Sequence, residues 1–218
     1  MPRDFGTVAE RVQRLNAAYA HHAARAVLDE ALGAEETGRV ALVSSFGAES
    51  VVLLHMVSRT RPDLPVLFID TEMLFPETLE YQREVAEKLG LTNIQVVRAS
   101  RTALWSADPS GDLHQRDPDA CCALRKTIPL EAALAPYDAW ITGRKRFQGG
   151  NRADLRHFEA EGETRIKINP LADWARDDVQ DYIWNNNLPR HPLVAKGYPS
   201  IGCAPCTTPV AEGEDPRA

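Results

Sequence analysis

Short apolar runs of four or five residues recur along this 218-residue chain, and a longer stretch with helical periodicity follows most of them. The runs at 39–43, 66–69, 94–97 and 139–142 read as strands, while 49–59 and 77–89 read as helices between them, the second stopped by Gly90. Strands separated by connections of that length cannot close as hairpins, so they pair in parallel with helices packed on both faces. The expected class is α/β, with a doubly wound, mainly parallel, Rossmann-like sheet.

The two ends of the chain read differently. Thr7 and Glu10 have the spacing of a capping box, and Val8, Val12, Leu15, Tyr19 and Val27 follow one apolar stripe, which predicts a single helix over 7–32. From Arg156 onward His157-Phe158, the Glu161-Gly162 turn and the alternating Arg165-Ile166-Lys167-Ile168 predict a hairpin at the sheet edge. A helix over 174–184 is expected to bury Val179, Ile183 and Trp184. A proline-rich segment carrying Pro189, Pro192, Pro199 and Pro205 follows it, and no linker divides the chain.

Charge narrows the ligand. With 25 basic and 31 acidic residues the formal charge is -6, which argues against a general nucleic-acid surface. Basic residues nevertheless cluster at Arg125-Lys126, at Arg144-Lys145-Arg146, and at Arg152 and Arg156, a pattern suited to a small anion. No window approaches the roughly 18 apolar residues of a membrane span. The first strand runs into Ser44-Ser45-Phe46-Gly47-Ala48-Glu49-Ser50, where N–H groups at a helix start can meet an anion. No lysine stands where a Walker loop requires it, and by itself a Ser/Gly turn is more often plain helix capping.

All four cysteines fall into two pairs, Cys121-Cys122 and Cys203-Ala204-Pro205-Cys206. Two pairs can complete a tetrahedral thiolate set for zinc or an iron–sulfur cluster; buried thiols and disulfides are the competing readings. Met1-Pro2-Arg3-Asp4 leads into an alanine-rich amphipathic stretch and not an apolar leader, so a cytoplasmic, reducing location without disulfides is expected.

The serine loop, Ile69-Asp70-Thr71 with Phe75-Pro76-Glu77-Thr78, Cys121-Cys122-Ala123-Leu124-Arg125-Lys126, Trp140-Ile141-Thr142-Gly143-Arg144-Lys145-Arg146, and Gly202-Cys203-Ala204-Pro205-Cys206-Thr207 occur in one order. Together they resemble the assimilatory sulfonucleotide reductases over nearly the whole chain. The resemblance implies an adenine-nucleotide alpha-hydrolase-like fold and a single domain over 1–218. Its parts are an N-terminal helix at 7–32, a nucleotide-binding core at 39–170, and a C-terminal helix with a metal-binding loop at 171–210. Within that family the double cysteine pair implies a [4Fe-4S] cluster on Cys121, Cys122, Cys203 and Cys206 and a preference for adenosine 5'-phosphosulfate.

The implied reaction is thioredoxin-dependent reduction of adenosine 5'-phosphosulfate to sulfite and AMP, in sulfate assimilation and cysteine biosynthesis. The expected substrate contacts are Ser44, Ser45, Phe46, Gly47, Ile69, Thr71, Lys126, Arg144, Arg146 and Arg152, with Lys126 also supporting catalysis. Planar arginine forks suit the phosphosulfate oxygens. The family's nucleophilic cysteine lies in a C-terminal tail, and the sequence ends at Glu212-Gly213-Glu214-Asp215-Pro216-Arg217-Ala218 without it, so that cysteine is expected outside this chain. Three other readings stay open: a reductase of the 3'-phosphorylated nucleotide or of both, an iron–sulfur tRNA thiolase of the ATP-pyrophosphatase type, and a non-catalytic nucleotide sensor. No membrane or nucleic-acid partner is expected, and a homo-oligomer is compatible with the sequence.

Overall fold

A computed structural model describes residues 4–210. Its centre is a six-stranded sheet in the order β3-β2-β1-β4-β6-β5. The strands are β1 (Val40–Ser44), β2 (Val66–Ile69), β3 (Ile94–Val97), β4 (Ala139–Ile141), β5 (Phe158–Glu161) and β6 (Arg165–Ile168). All neighbours pair in parallel except β5, which runs antiparallel to β6 at the edge. The chain leaves β1 in one direction to build β2 and β3, then returns to place β4 on the other side of β1. That reversal makes the carboxyl ends of β1 and β4 the switch point, where such sheets open a crevice.

The helices are α1 (Val8–Tyr19), α2 (Ala24–Gly33), α3 (Ser50–Ser58), α4 (Pro76–Leu89), α5 (Arg101–Ala107), α6 (Leu113–Arg116), α7 (Pro118–Cys122), α8 (Ile128–Leu134) and α9 (Arg176–Asn185). The Thr7 box is present: the Glu10 amide donates to the Thr7 hydroxyl, and the Thr7 amide donates to the Glu10 carboxylate at 2.8 Å. The single helix expected over 7–32 is two helices, broken at Ala23, which is extended. A straight helix of that span would run about 39 Å, longer than strands of four and five residues can cover. The break lets Leu15 on α1 and Val27, Leu28 and Ala31 on α2 all reach the core.

Helix α3 follows β1 and is buried on nearly every side, from Val51 to Val57. Helix α4 begins with Pro76 in its first turn and ends at Gly90, whose φ of +64° supplies the left-handed closure. The edge strand β5 is capped by α1: the Asn16 amide donates to the Phe158 carbonyl at 2.7 Å and accepts from the Phe158 N–H at 3.2 Å. That leaves less of the edge free for another chain to pair with. On α9, Val179 and Ile183 are buried as expected, but Trp184 is 83 % exposed. Its position follows Ile183 by one residue, about 100° around the helix, and falls on the solvent face.

Candidate functional site

The carboxyl ends of β1, β2 and β4 open into one cavity of about 750 Å³, which also receives both cysteine pairs. Its floor is the loop after β1. Ser44 turns back to accept a hydrogen bond from the Phe46 amide at 3.1 Å, and the Ser50 amide closes onto the Gly47 carbonyl at 3.1 Å. Ser44, Ser45 and Gly47 face the cavity as expected. A Cβ on Gly47 would stand 3.2 Å from the Ile201 carbonyl, so glycine lets the C-terminal loop close over this one.

Phe46 departs from expectation. Its backbone has φ +50°, and its ring is fully buried edge-to-face on Phe68, with centroids 5.2 Å apart. The turn throws the ring into the core, so Phe46 anchors the loop from beneath and lies outside the lining.

At the tip of β2, Ile69 and Thr71 line the cavity, while Asp70 turns away to pair with Arg98 at 2.8 Å. The Thr71 hydroxyl is 3.1 Å from the Cys203 sulfur. The backbone makes the same junction: Leu74 bridges Cys203, and the Ala204 amide donates to the Met73 carbonyl at 2.7 Å. Cys121 and Cys122 end α7, which Asp117 caps by accepting from the Ala120 amide at 2.9 Å. From there Ala123–Thr127 widens into a π-helical turn, a local insertion found mostly at functional sites. It brings Arg125 and Lys126 round to the same side as the cysteines, and all four residues line the cavity.

Arg125 was not among the expected ligand contacts, although it lines the cavity. Its guanidinium is buried, 2.7 Å from the Asp108 carboxylate and 3.2 Å from the Thr71 carbonyl, and its Nε–H has no partner among the described residues. Burial pushes the Cys121 thiol up, Arg125 counters that, and Cys122, Asp108 and Cys203 push further in the same direction as burial. Cys206 is raised by burial and by Cys203 and Cys122. Cys121 and Cys206 thus each feel Cys122 and Cys203 as neighbouring negative charges.

The loop after β4 supplies the other cations. Arg144 lines the cavity with its guanidinium steadied by Glu159 and by the Asn169 side-chain oxygen at 3.1 Å. Arg152 lines it too, beside Gln148. Arg146, expected among the ligand contacts, is drawn away by Asp173 and by the Leu155 carbonyl at 2.7 Å and does not reach the lining. Lys145 points inward in its place, 2 % exposed and 2.7 Å from Glu49. Residues in one irregular loop alternate direction unpredictably, which is why the run Arg144-Lys145-Arg146 did not reveal which members face in. Arg176 and Arg190, at the start of α9 and just beyond its end, also line the cavity and carried no sequence signal.

The four cysteines come from two distant segments and share this lining, whose single carboxylate among the described residues, Glu49, is held by Lys145. As a donor set they fit a thiolate-bound group. Among the described residues no three His, Cys, Asp or Glu side chains are arranged to hold one metal ion. Residues 211–218, where the tail was expected to stop short of its cysteine, lie outside the described residues.

A doubly wound sheet with a cationic crevice at its switch point has the adenine-nucleotide alpha-hydrolase-like fold. Residues 39–209 match the phosphoadenosine phosphosulfate reductase domain, and the chain belongs to that family. It is 50% identical over 205 residues to an adenosine 5'-phosphosulfate reductase of Chelativorans sp. (strain BNC1), a match covering 94% of this chain and 83% of the relative. One from Mesorhizobium japonicum is 48% identical over 97% of this chain and 83% of its own length. Among solved structures, the phosphoadenylyl-sulfate reductase of Candida auris, a phosphate complex, superposes with a TM-score of 0.76 at 29% identity, covering 91% of this chain and 97% of that one. No described helix is long and apolar enough to cross a membrane.

Proposed function

We propose that this protein reduces adenosine 5'-phosphosulfate to sulfite and AMP, with a dithiol of the thioredoxin type as reductant. The observation that carries this reading is the convergence, in one cavity, of the Ser44–Gly47 loop, several inward-facing cations and both cysteine pairs. The relatives named for adenosine 5'-phosphosulfate support that nucleotide over its 3'-phosphorylated form.

In this reading the serine loop and the β2 tip hold the nucleotide, and Lys126, Arg144 and Arg152 face its phosphosulfate. Cys121, Cys122, Cys203 and Cys206 would hold a [4Fe-4S] cluster, which would cross-link the two segments and supply a redox-active, charged group to the cavity. With all four thiols so used, the nucleophile is a cysteine outside these 218 residues. Its thiolate attacks the sulfate sulfur, the bond from sulfur to the bridging oxygen breaks, and AMP leaves with that oxygen. One reductant thiolate then attacks the cysteine sulfur and expels sulfite; the second resolves the mixed disulfide, so two electrons pass from the dithiol.

The test is mass spectrometry of the full-length natural protein after incubation with adenosine 5'-phosphosulfate. One added sulfonate with AMP released, then sulfite on adding reduced thioredoxin, is expected. Turnover by a protein whose only cysteines are these four would overturn both the nucleophile and the cluster assignments. Competition between the two nucleotides decides specificity.

A further inference from the structure

Glu49 occupies an awkward place. It caps α3, at the loop where an anion would meet the helix N-terminus, and it is the single carboxylate lining the cavity among the described residues. A carboxylate there repels phosphate. Sites that keep one beside a phosphate commonly reconcile the two with a divalent cation, held by carboxylate oxygens on one side and phosphate oxygens on the other. Here the carboxylate is already satisfied. Lys145 donates to it at 2.7 Å and to the Gly143 carbonyl at 3.0 Å, and the lysine is almost fully enclosed while the Glu49 side chain is about a quarter exposed. Glu49 makes no side-chain capping hydrogen bond to α3.

We propose that Lys145 is the built-in counter-ion of Glu49, and that this pair lets the cavity accept an anionic adenine nucleotide without an escorting divalent cation. Lys145 is thus a positioning residue that acts on the ligand through Glu49. The proposal rests on the nucleotide reading above, and it assigns to the pair the choice between metal-free and metal-chelated nucleotides. A lysine on a four-carbon stem reaches from the β4 loop to the α3 cap, and the Gly143 carbonyl fixes where its ammonium stops.

The test is calorimetric titration of the full chain with AMP, in EDTA and in magnesium chloride, for four proteins. Wild type should bind equally well in both. Lys145→Met should bind about ten-fold or more weakly in EDTA, with magnesium recovering much of the loss, because the exposed carboxylate becomes a metal ligand. Glu49→Gln should bind as tightly as wild type or tighter. The double variant Glu49→Gln/Lys145→Met should return near wild type in EDTA. A purely structural pair would move both single variants in the same direction, and that outcome overturns the proposal, as does a wild type that needs magnesium. If Lys145→Met does not fold, Glu49→Gln and the double variant still decide the sign. A wild type that binds AMP under neither condition refutes the nucleotide reading itself.

Discussion

The Thr71 hydroxyl lies 3.1 Å from the Cys203 sulfur, joining the tip of β2 to a loop 132 residues further along. With the Leu74–Cys203 bridge, it seats the second cysteine pair in the lining of the cavity at the strand ends. The second cysteine pair and the cationic cavity are therefore one piece of architecture, and a change at either should be felt at the other.

Anaerobically purified protein is expected to be brown, with about four iron and four sulfide per chain. Cys203→Ser should lose the colour and make the 197–206 loop sensitive to limited proteolysis, since the thiolates would be its main cross-link to the Cys121 segment. Stoichiometric zinc without sulfide would reject the cluster.

Lys126 and Arg146 should behave differently, although both looked equivalent in sequence. Lys126 lines the cavity with no partner among the described residues, so Lys126→Ala should weaken adenosine 5'-phosphosulfate by about 1.5 to 3 kcal/mol while sparing adenosine. Arg146 is tied to Asp173 and Leu155, so Arg146→Ala should lower the melting temperature more than the affinity. Equal losses of affinity in the two variants would contradict the geometry.

The Asp108–Arg125 pair is a stability element with a pH signature. Burial would raise the Asp108 carboxyl, but hydrogen bonds from Arg125 and the Leu113 amide, and the arginine's charge, more than reverse it and hold the group below the usual carboxylate range. A depressed carboxylate contributes stability at neutral pH that is lost as pH falls through its folded-state pKa. Asp108→Asn leaves Arg125 buried without its counter-ion, at a cost of about 3 to 5 kcal/mol in urea unfolding at pH 7. A cost under about 1 kcal/mol would show that the ion pair contributes little.

His191 adds a second pH dependence, over a higher range. Its ring packs on Tyr81 with centroids 4.8 Å apart, lies 3.0 Å from the Thr78 hydroxyl through Nε2, and accepts from the Leu193 amide through Nδ1. Burial lowers its pKa from 6.5 to about 4, with Glu77 opposing. The unfolded chain thus binds the extra proton first, so stability should fall as pH drops from about 6.5 toward 4, by on the order of 2 to 3 kcal/mol. His191→Gln should flatten that part of the profile. An unchanged slope would assign it to other groups.

The alternation of apolar runs and helical stretches determined the sheet, because strand and helix periodicity are local properties that neighbouring residues impose on one another. Strands at 66–69 and 94–97 and the 158–168 hairpin fell where the pattern put them. The two cysteine pairs and the Ser44–Ser50 loop could be picked out by spacing and by their place after a strand, and the structure brings them to one cavity. What the tertiary structure alone decided is direction. Phe46 turns into the core on a positive φ; Lys145 faces in while Arg146 faces out; Trp184 stands in solvent, one residue past the buried Ile183. These outcomes depend on partners such as Glu49, Asp173 and Phe68, which lie far away in sequence. No local periodicity encodes a contact made only after the sheet has brought its strand ends together.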